Sequence, residues 1–193
     1  MNRRHVLAGT GGLVLTAVSG CLGVLGGSEG TEGNDDEPID AEAESLLLTE
    51  EGTEAVMEGQ WLGNTGFDDR PMMYRDADIV RTLVAWDEED DALRFDAGRV
   101  FTGVWLHDSV ETSRETYEGS PYQYGHGLEE ENIAVESLAG IVEETRGRWW
   151  GYVLFRDANV VGAVSYQNTD LSEERVVDTT VALSTTMHES WRE

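Results

Sequence analysis

The sequence of 193 residues has no lysine, one cysteine, three prolines and four histidines. Its 13 basic residues, all arginine, face 39 acidic ones and form no basic cluster, which excludes a generic nucleic-acid binder. A lone cysteine excludes an internal disulfide, a cysteine-rich zinc site and, because blue copper needs Cys with two His, a cupredoxin centre. No Gly-x-Ser-x-Gly elbow is present, so the usual seat of a hydrolase serine is missing. Past the N-terminal segment the histidines are His107, His126 and His188, and no two stand at His-x-His or His-x-x-x-His spacing. Neither a metal nor a cofactor is expected. What is present is 39% hydrophobic residues, enough to pack the core of one domain.

Residues 1–20 have the form of an export signal. Arg3 and Arg4 make a twin-arginine pair, followed by an uncharged stretch from Ala8 to Val18 that glycines interrupt. Val18-Ser19-Gly20-Cys21 then has the pattern of a lipobox: an aliphatic residue, two small residues, and a thiol able to carry a thioether-linked lipid. The alternative is an uncleaved anchor, since Val6 to Gly27 carries no charge and about 20 apolar residues can span a bilayer. Seven of those residues are glycine, each costing roughly 1 kcal/mol in a helix relative to alanine, so the lipidated form is preferred. Either way the remainder lies outside the cytoplasm. The expected location is the outer face of the cytoplasmic membrane, with the bilayer as partner through Cys21.

Leu22 to Glu44 holds eight acids and no base, and is expected to be a disordered acidic linker over residues 21–44 that holds a domain of residues 45–193 off the membrane. The linker does not exhaust the charge, because 31 acids against 11 arginines remain in the domain. At ordinary salt that repulsion opposes the compact state; at molar salt the Debye length falls to about 3 Å and screens it. The twin-arginine pair, the lipobox, the uniform acid excess and the missing lysine together resemble haloarchaeal twin-arginine-exported lipoproteins. The resemblance implies a location and a salty solvent, and no chemistry. Asp87 to Asp91 lacks the alternating ligands and central glycine of a calcium loop and is expected to be a solvated turn.

The domain is predicted to be α+β, mainly an antiparallel sheet covered by helices. Thr49 is placed to cap a brief helix through Met57. Ile79–Trp86, Ala92–Phe95 and Val100–Leu106 are expected strands. Asp108 with Glu111 suggests a capping box for a short helix ending at Gly119, with Val110, Ser113 and Tyr117 on one face. Ser120–Gly127 is expected to be a loop, and Ile133–Val135 and Ile141-Val142 short strands. Trp149–Arg156 and Val160–Tyr166 form the clearest hairpin, turning where Asn159 supplies a left-handed conformation. Ser172 caps a last helix whose Val176, Thr180, Leu183 and Met187 recur on one face. The block Val153 to Val161 before that helix, with the strand–helix unit Val100–Tyr117, is similar to PsbP-like and sensor-type α/β sandwich lipoproteins. That similarity implies a sandwich fold and assigns no functional residue.

One stretch stands out chemically: Pro121 to Gly127 places Tyr122, Tyr124 and His126 among glycines, a composition suited to ligands that are part apolar. Trp149 and Trp150 point to opposite faces of their strand, so one of them is free to join a pocket. These five residues are the candidate ligand-binding set, and the absence of a catalytic set argues against an enzyme. A binding or sensor-type domain for a small molecule or protein is therefore expected. An exported hydrolase using carboxylates or His126, and an assembly partner of a membrane complex, are the alternatives.

Overall fold

A computed structural model describes residues 31–64, 74–124, 126–144, 148–168 and 170–192. The elements are α1 (Glu50–Val56), β1 (Gln60–Asn64), β2 (Ile79–Asp87), β3 (Ala92–Leu106), α2 (Val110–Glu118), β4 (His126–Glu130), β5 (Glu136–Glu144), β6 (Arg148–Asp157), β7 (Val160–Asn168) and α3 (Glu173–Glu189). The strands join into one antiparallel sheet in the order β1-β2-β3-β7-β6-β5-β4. The fold is α+β as expected. One sheet face, with Leu83, Val104, Val153, Phe155 and Val164, packs under Val176, Leu183 and Met187 of α3. The other, with Phe101, Trp105, Tyr152, Leu154 and Ala163, lies under Tyr117 of α2 and Tyr122.

The middle of the sheet is apolar on both faces, which is why it was legible as a run rather than an alternation. All nine residues of β7 are buried. Its hairpin with β6 closes at Asp157↔Val160, leaving a two-residue turn. The left-handed residue there is Ala158 (φ 48°) and not Asn159, whose side chain is spent elsewhere. The α3 face is as predicted: the Ser172 hydroxyl accepts from the Arg175 amide, and Val176, Thr180, Leu183 and Met187 are all buried. Gly151 allows the close approach of α3, since a Cβ there would sit 2.4 Å from Thr180 Oγ1 and 2.9 Å from the Val176 carbonyl. Thr49 caps α1 as expected.

Several boundaries differ. The two expected strands between Ala92 and Leu106 are one strand of 15 residues. Its pairing with β2 jumps from Arg94 to Arg99, so residues 95–98 have no opposite number and the strand continues past an irregularity that holds Gly98 at φ +131°. The α2 cap is Ser109, whose hydroxyl accepts from the Thr112 amide, and not Asp108. The expected loop 120–127 is a 3₁₀ turn, Pro121–Tyr124, followed by the start of β4. Ile133–Val135 is not a strand, because Ala134 turns left-handed (φ 60°) before β5 begins at Glu136. Asp87–Asp91 spans the end of β2 and the turn into β3, as expected of a solvated turn; Asp87 accepts from the Glu89 and Asp90 amides and pairs with Arg94 at 2.8 Å.

The largest departure concerns the linker. Its part from residue 31 is not a loose tether but a strap folded onto the β6–β7 turn. Asn159 takes both backbone groups of Ile39, accepting from its amide (2.7 Å) and donating to its carbonyl (3.2 Å). Ile39 itself is buried in the core, and Glu32 bridges to Ala134. Composition does not show this because the partners of the acidic strap lie far along the chain, 79 residues from Asp35 for Arg114 and 121 for Arg156. Residues 1–30, with Arg3, Arg4 and Cys21, lie outside the described residues.

Candidate functional site

Of the candidate residues, Tyr122 and Trp150 lie on one face of the sheet and Trp149 on the other. Tyr122 is 2% exposed and belongs to the core; its ring meets Tyr152 at 4.9 Å and Tyr74 at 6.1 Å, and burial raises its hydroxyl well above the usual tyrosine range. Trp150 stacks on Phe101 at 5.4 Å on that same face. Trp149 is half-buried against the α3 side, so the two tryptophans do occupy opposite faces. Tyr124 ends the 3₁₀ turn and His126 opens β4.

A second cluster was invisible in the sequence. Asp157, fully buried at the end of β6, accepts from His188 Nε2 (2.8 Å), the Asn34 amide (2.8 Å) and two nitrogens of Arg192 (2.8 and 2.6 Å). Burial would raise this carboxyl; the bonds from His188, Arg192 and Asn34 outweigh it and hold it at about 2. Beside it Arg156, 1% exposed, bonds both oxygens of Asp35 (2.6 and 3.1 Å) and Glu136 (2.5 Å). The Arg156 bonds are the main reason the Asp35 carboxyl lies below its ordinary value.

Thr31 Oγ1, His188 and Asp157 stand in the order hydroxyl, imidazole, carboxylate, with Thr31 2.5 Å from Nδ1. The electrostatics are wrong for a nucleophile, however. Arg192 engages both Asp157 oxygens, so the carboxylate that holds the imidazole is shared with a cation. The ring is 1% exposed and packed against Phe155 and Trp191. These groups fasten the strap; none is presented to a substrate.

The surface that is presented lies between α2, the Pro121–Tyr124 turn and the β4–β5 connection. A groove of about 520 Å³ is lined there by Tyr117, Gln123, Leu128, Val135 and four glutamates, Glu129, Glu130, Glu131 and Glu136. Leu128 and Val135, 39% and 37% exposed, are the exposed large hydrophobics among the described residues, and both belong to this groove. Gly140 makes room first for Tyr152 and then for Leu128: a Cβ there would sit 2.5 Å from the Tyr152 hydroxyl and 3.0 Å from Leu128 Cδ2. Burial and the neighbouring charges of Glu129 and Asp178 raise the Glu131 carboxyl. Burial and Glu136 push the Tyr117 hydroxyl up to about 12. Burial is the first cause of both shifts, and the neighbouring carboxylates add to it.

A second cavity of about 470 Å³, by α1 and β1, is lined by Thr49, Glu50, Glu51, Gly63 and Arg81. Its polar groups already serve one another: Glu50 accepts from the Gly63 amide, and Arg81 donates to the Leu48 carbonyl. It offers no apolar surface comparable to Leu128 and Val135. The exposed pair was there to find in Leu128 and Val135, but nothing local distinguished them from the apolar residues that the sheet buries.

No protein-family model matches the chain, and no curated protein matches it. Among solved structures it is similar to the extracellular domain of PknH from Mycobacterium tuberculosis, at 12% identity over 81% of this chain and 98% of that one, with a TM-score of 0.49. Among the described residues no helix is long and apolar enough to cross a membrane, and no three His, Cys, Asp or Glu are grouped to hold a metal ion.

Proposed function

We propose that this protein is an exported, lipid-anchored binding domain of a halophile, moored through Cys21 and receiving its ligand in the groove between α2 and β4–β5. The observation that carries the binding role is the coincidence, in one groove, of Leu128 and Val135 with Glu129, Glu130 and Glu131, while Glu136 is paired with Arg156 and the buried histidine and its carboxylate are consumed in holding the strap. The ligand is a cation with an apolar body. The sequence supports the mooring: a twin-arginine signal, a lipobox and an acid excess suited to high salt. The strap also shortens the mooring. Between Cys21 and Thr31 only Leu22 to Gly30 intervene, a reach of at most about 35 Å, so the domain works close to the bilayer.

A thermal-shift comparison at about 2 M KCl tests the binding role, with amphipathic amines set against amphipathic carboxylates of the same size. Amines are expected to raise the Tm by at least about 2 °C, and Glu130→Arg to abolish that rise. Equal stabilisation by carboxylates, or a rise that survives the substitution, overturns the reading. Membrane fractionation of Cys21→Ser tests the mooring, the expected result being loss from the membrane fraction.

A further inference from the structure

The two ends of the sheet are finished differently. At β1 the outward amides are taken: Glu54 of α1 accepts from the Trp61 amide (3.1 Å) and Glu50 from the Gly63 amide (2.7 Å). At the other end β4 is the terminal strand, and alternate backbone groups of a terminal strand point away from its one neighbour. Natural sheets blunt such an edge with charge, proline, a bulge or a covering element, and β4 has the first and third, Glu129 with Glu130 and a register shift between His126 and Glu129, so only a strand that answers the charge can pair with it. Here the edge carries Leu128, the more exposed of the two large hydrophobics, beside Glu129 and Glu130.

Register fixes which side each residue occupies. Glu129 pairs with Ala139, which faces α3, and Glu130 with Leu138, which faces α2. Leu128 lies within the register shift of β4 between His126 and Glu129, and its approach to Gly140, which pairs with Tyr152 of the α2 side, places it on the side of Glu130. An added strand would meet an apolar position beside Leu128 and carboxylates beside Glu129 and Glu130, one on each face. This sheet end already recruits extended chain, since Thr31 accepts from the Ala134 amide and Glu32 bridges to Ala134. It already recognises arginine too, in the Arg156–Glu136 pair.

We infer that β4 takes an extended, arginine-bearing protein segment by strand addition, with an apolar residue beside Leu128 and cationic residues beside Glu129 and Glu130. This rests on the groove being the binding site, and it names the partner. The occupant is about five residues long, the length of β4. Contact-range charge decides against a second copy of this chain paired through the same strand, since that would set Glu129 and Glu130 against the same carboxylates.

The test uses the full lipidated chain in mild detergent at about 2 M KCl, where only contact-range charge pairs survive screening. The probe is a labelled heptapeptide of threonine and valine with two central arginines, read by anisotropy. Its controls are the same peptide with two glutamates, and two versions N-methylated on alternate amides, one for each edge of the peptide. The arginine peptide is expected to bind at least about tenfold tighter than the glutamate one, and one N-methylation pattern, not both, to lose about tenfold. The Glu129→Arg/Glu130→Arg double variant, checked for folding by circular dichroism, is expected to reverse the preference. Binding that both N-methylated peptides retain overturns strand addition yet leaves the groove as a site. Peptides indistinguishable from one another, or no binding where amphipathic amines still stabilise the protein, overturn this inference alone. Failure of amines and peptides together overturns the groove as well.

Discussion

The β1 and β4 edges of one sheet have the same chemistry available, glutamates beside a terminal strand, and use it in opposite ways. At β1 the glutamates belong to a helix packed over the edge, and their carboxylates turn inward to satisfy the Trp61 and Gly63 amides. At β4 the glutamates are on the strand itself and on the connection after it, and they stand out beside Leu128 and Val135. An acidic residue thus satisfies an edge when a neighbouring element aims it at the backbone, and guards the edge by charge alone when it stands on the strand itself. The β6–β7 turn carries closure furthest, because there a whole acidic strap is drawn down onto buried arginine and histidine.

Four measurements break or sharpen that contrast. The largest effect is expected at the turn: Asp157→Ala strands His188 and Arg192 without their carboxylate and should cost about 3–5 kcal/mol in urea unfolding. A loss below about 1 kcal/mol would mean that the strap contributes little to closure. Acidification comes next. With Asp157 held at about 2 against an ordinary 3.8, its stabilisation is present above the ordinary value and is lost as pH falls through about 2. The stability difference between wild type and Asp157→Asn should therefore shrink by about 2 kcal/mol from pH 6 to pH 2. Protonation of the other carboxylates relieves repulsion in both proteins and cancels in that difference.

At the β1 edge, Glu54→Ala should cost about 1 kcal/mol and speed hydrogen exchange at the Trp61 amide, with Glu50→Ala doing the same at Gly63. The smallest effect belongs to β4: Leu128→Thr removes an exposed side chain and should change stability by less than about 0.5 kcal/mol while weakening capture of an arginine-bearing strand. If Leu128→Thr destabilises as much as Glu54→Ala, the β4 edge is part of the structure and the contrast fails.

Where local and global preferences coincide, the fold was legible. The β6–β7 hairpin and α3 were readable because both faces of the one and the inner face of the other are buried, so that apolar runs and 3.6-residue spacing are forced on them. The caps at Thr49 and Ser172 were readable because a cap is a contact within a few residues. Tyr122 was read for its aromatic-with-hydroxyl chemistry, but whether such a residue meets a ligand or a sheet depends on what packs over it, and here that is Tyr74 and Tyr152. The strap departs from a free tether because acidic composition leaves a segment loose only when the folded domain offers it no cation. Arg156 and Arg192 wait 121 and 155 positions from Asp35 and Glu37.

Composition and short motifs alone determined that the chain is acidic and without lysine, and that its core is a hairpin under a helix. All of these are properties of neighbours along the chain, or of sums over it. Tertiary structure alone decided which acids are structural and which are offered to solvent. That choice depends on whether a carboxylate meets an amide or an arginine across space, and spacing along the chain does not record it.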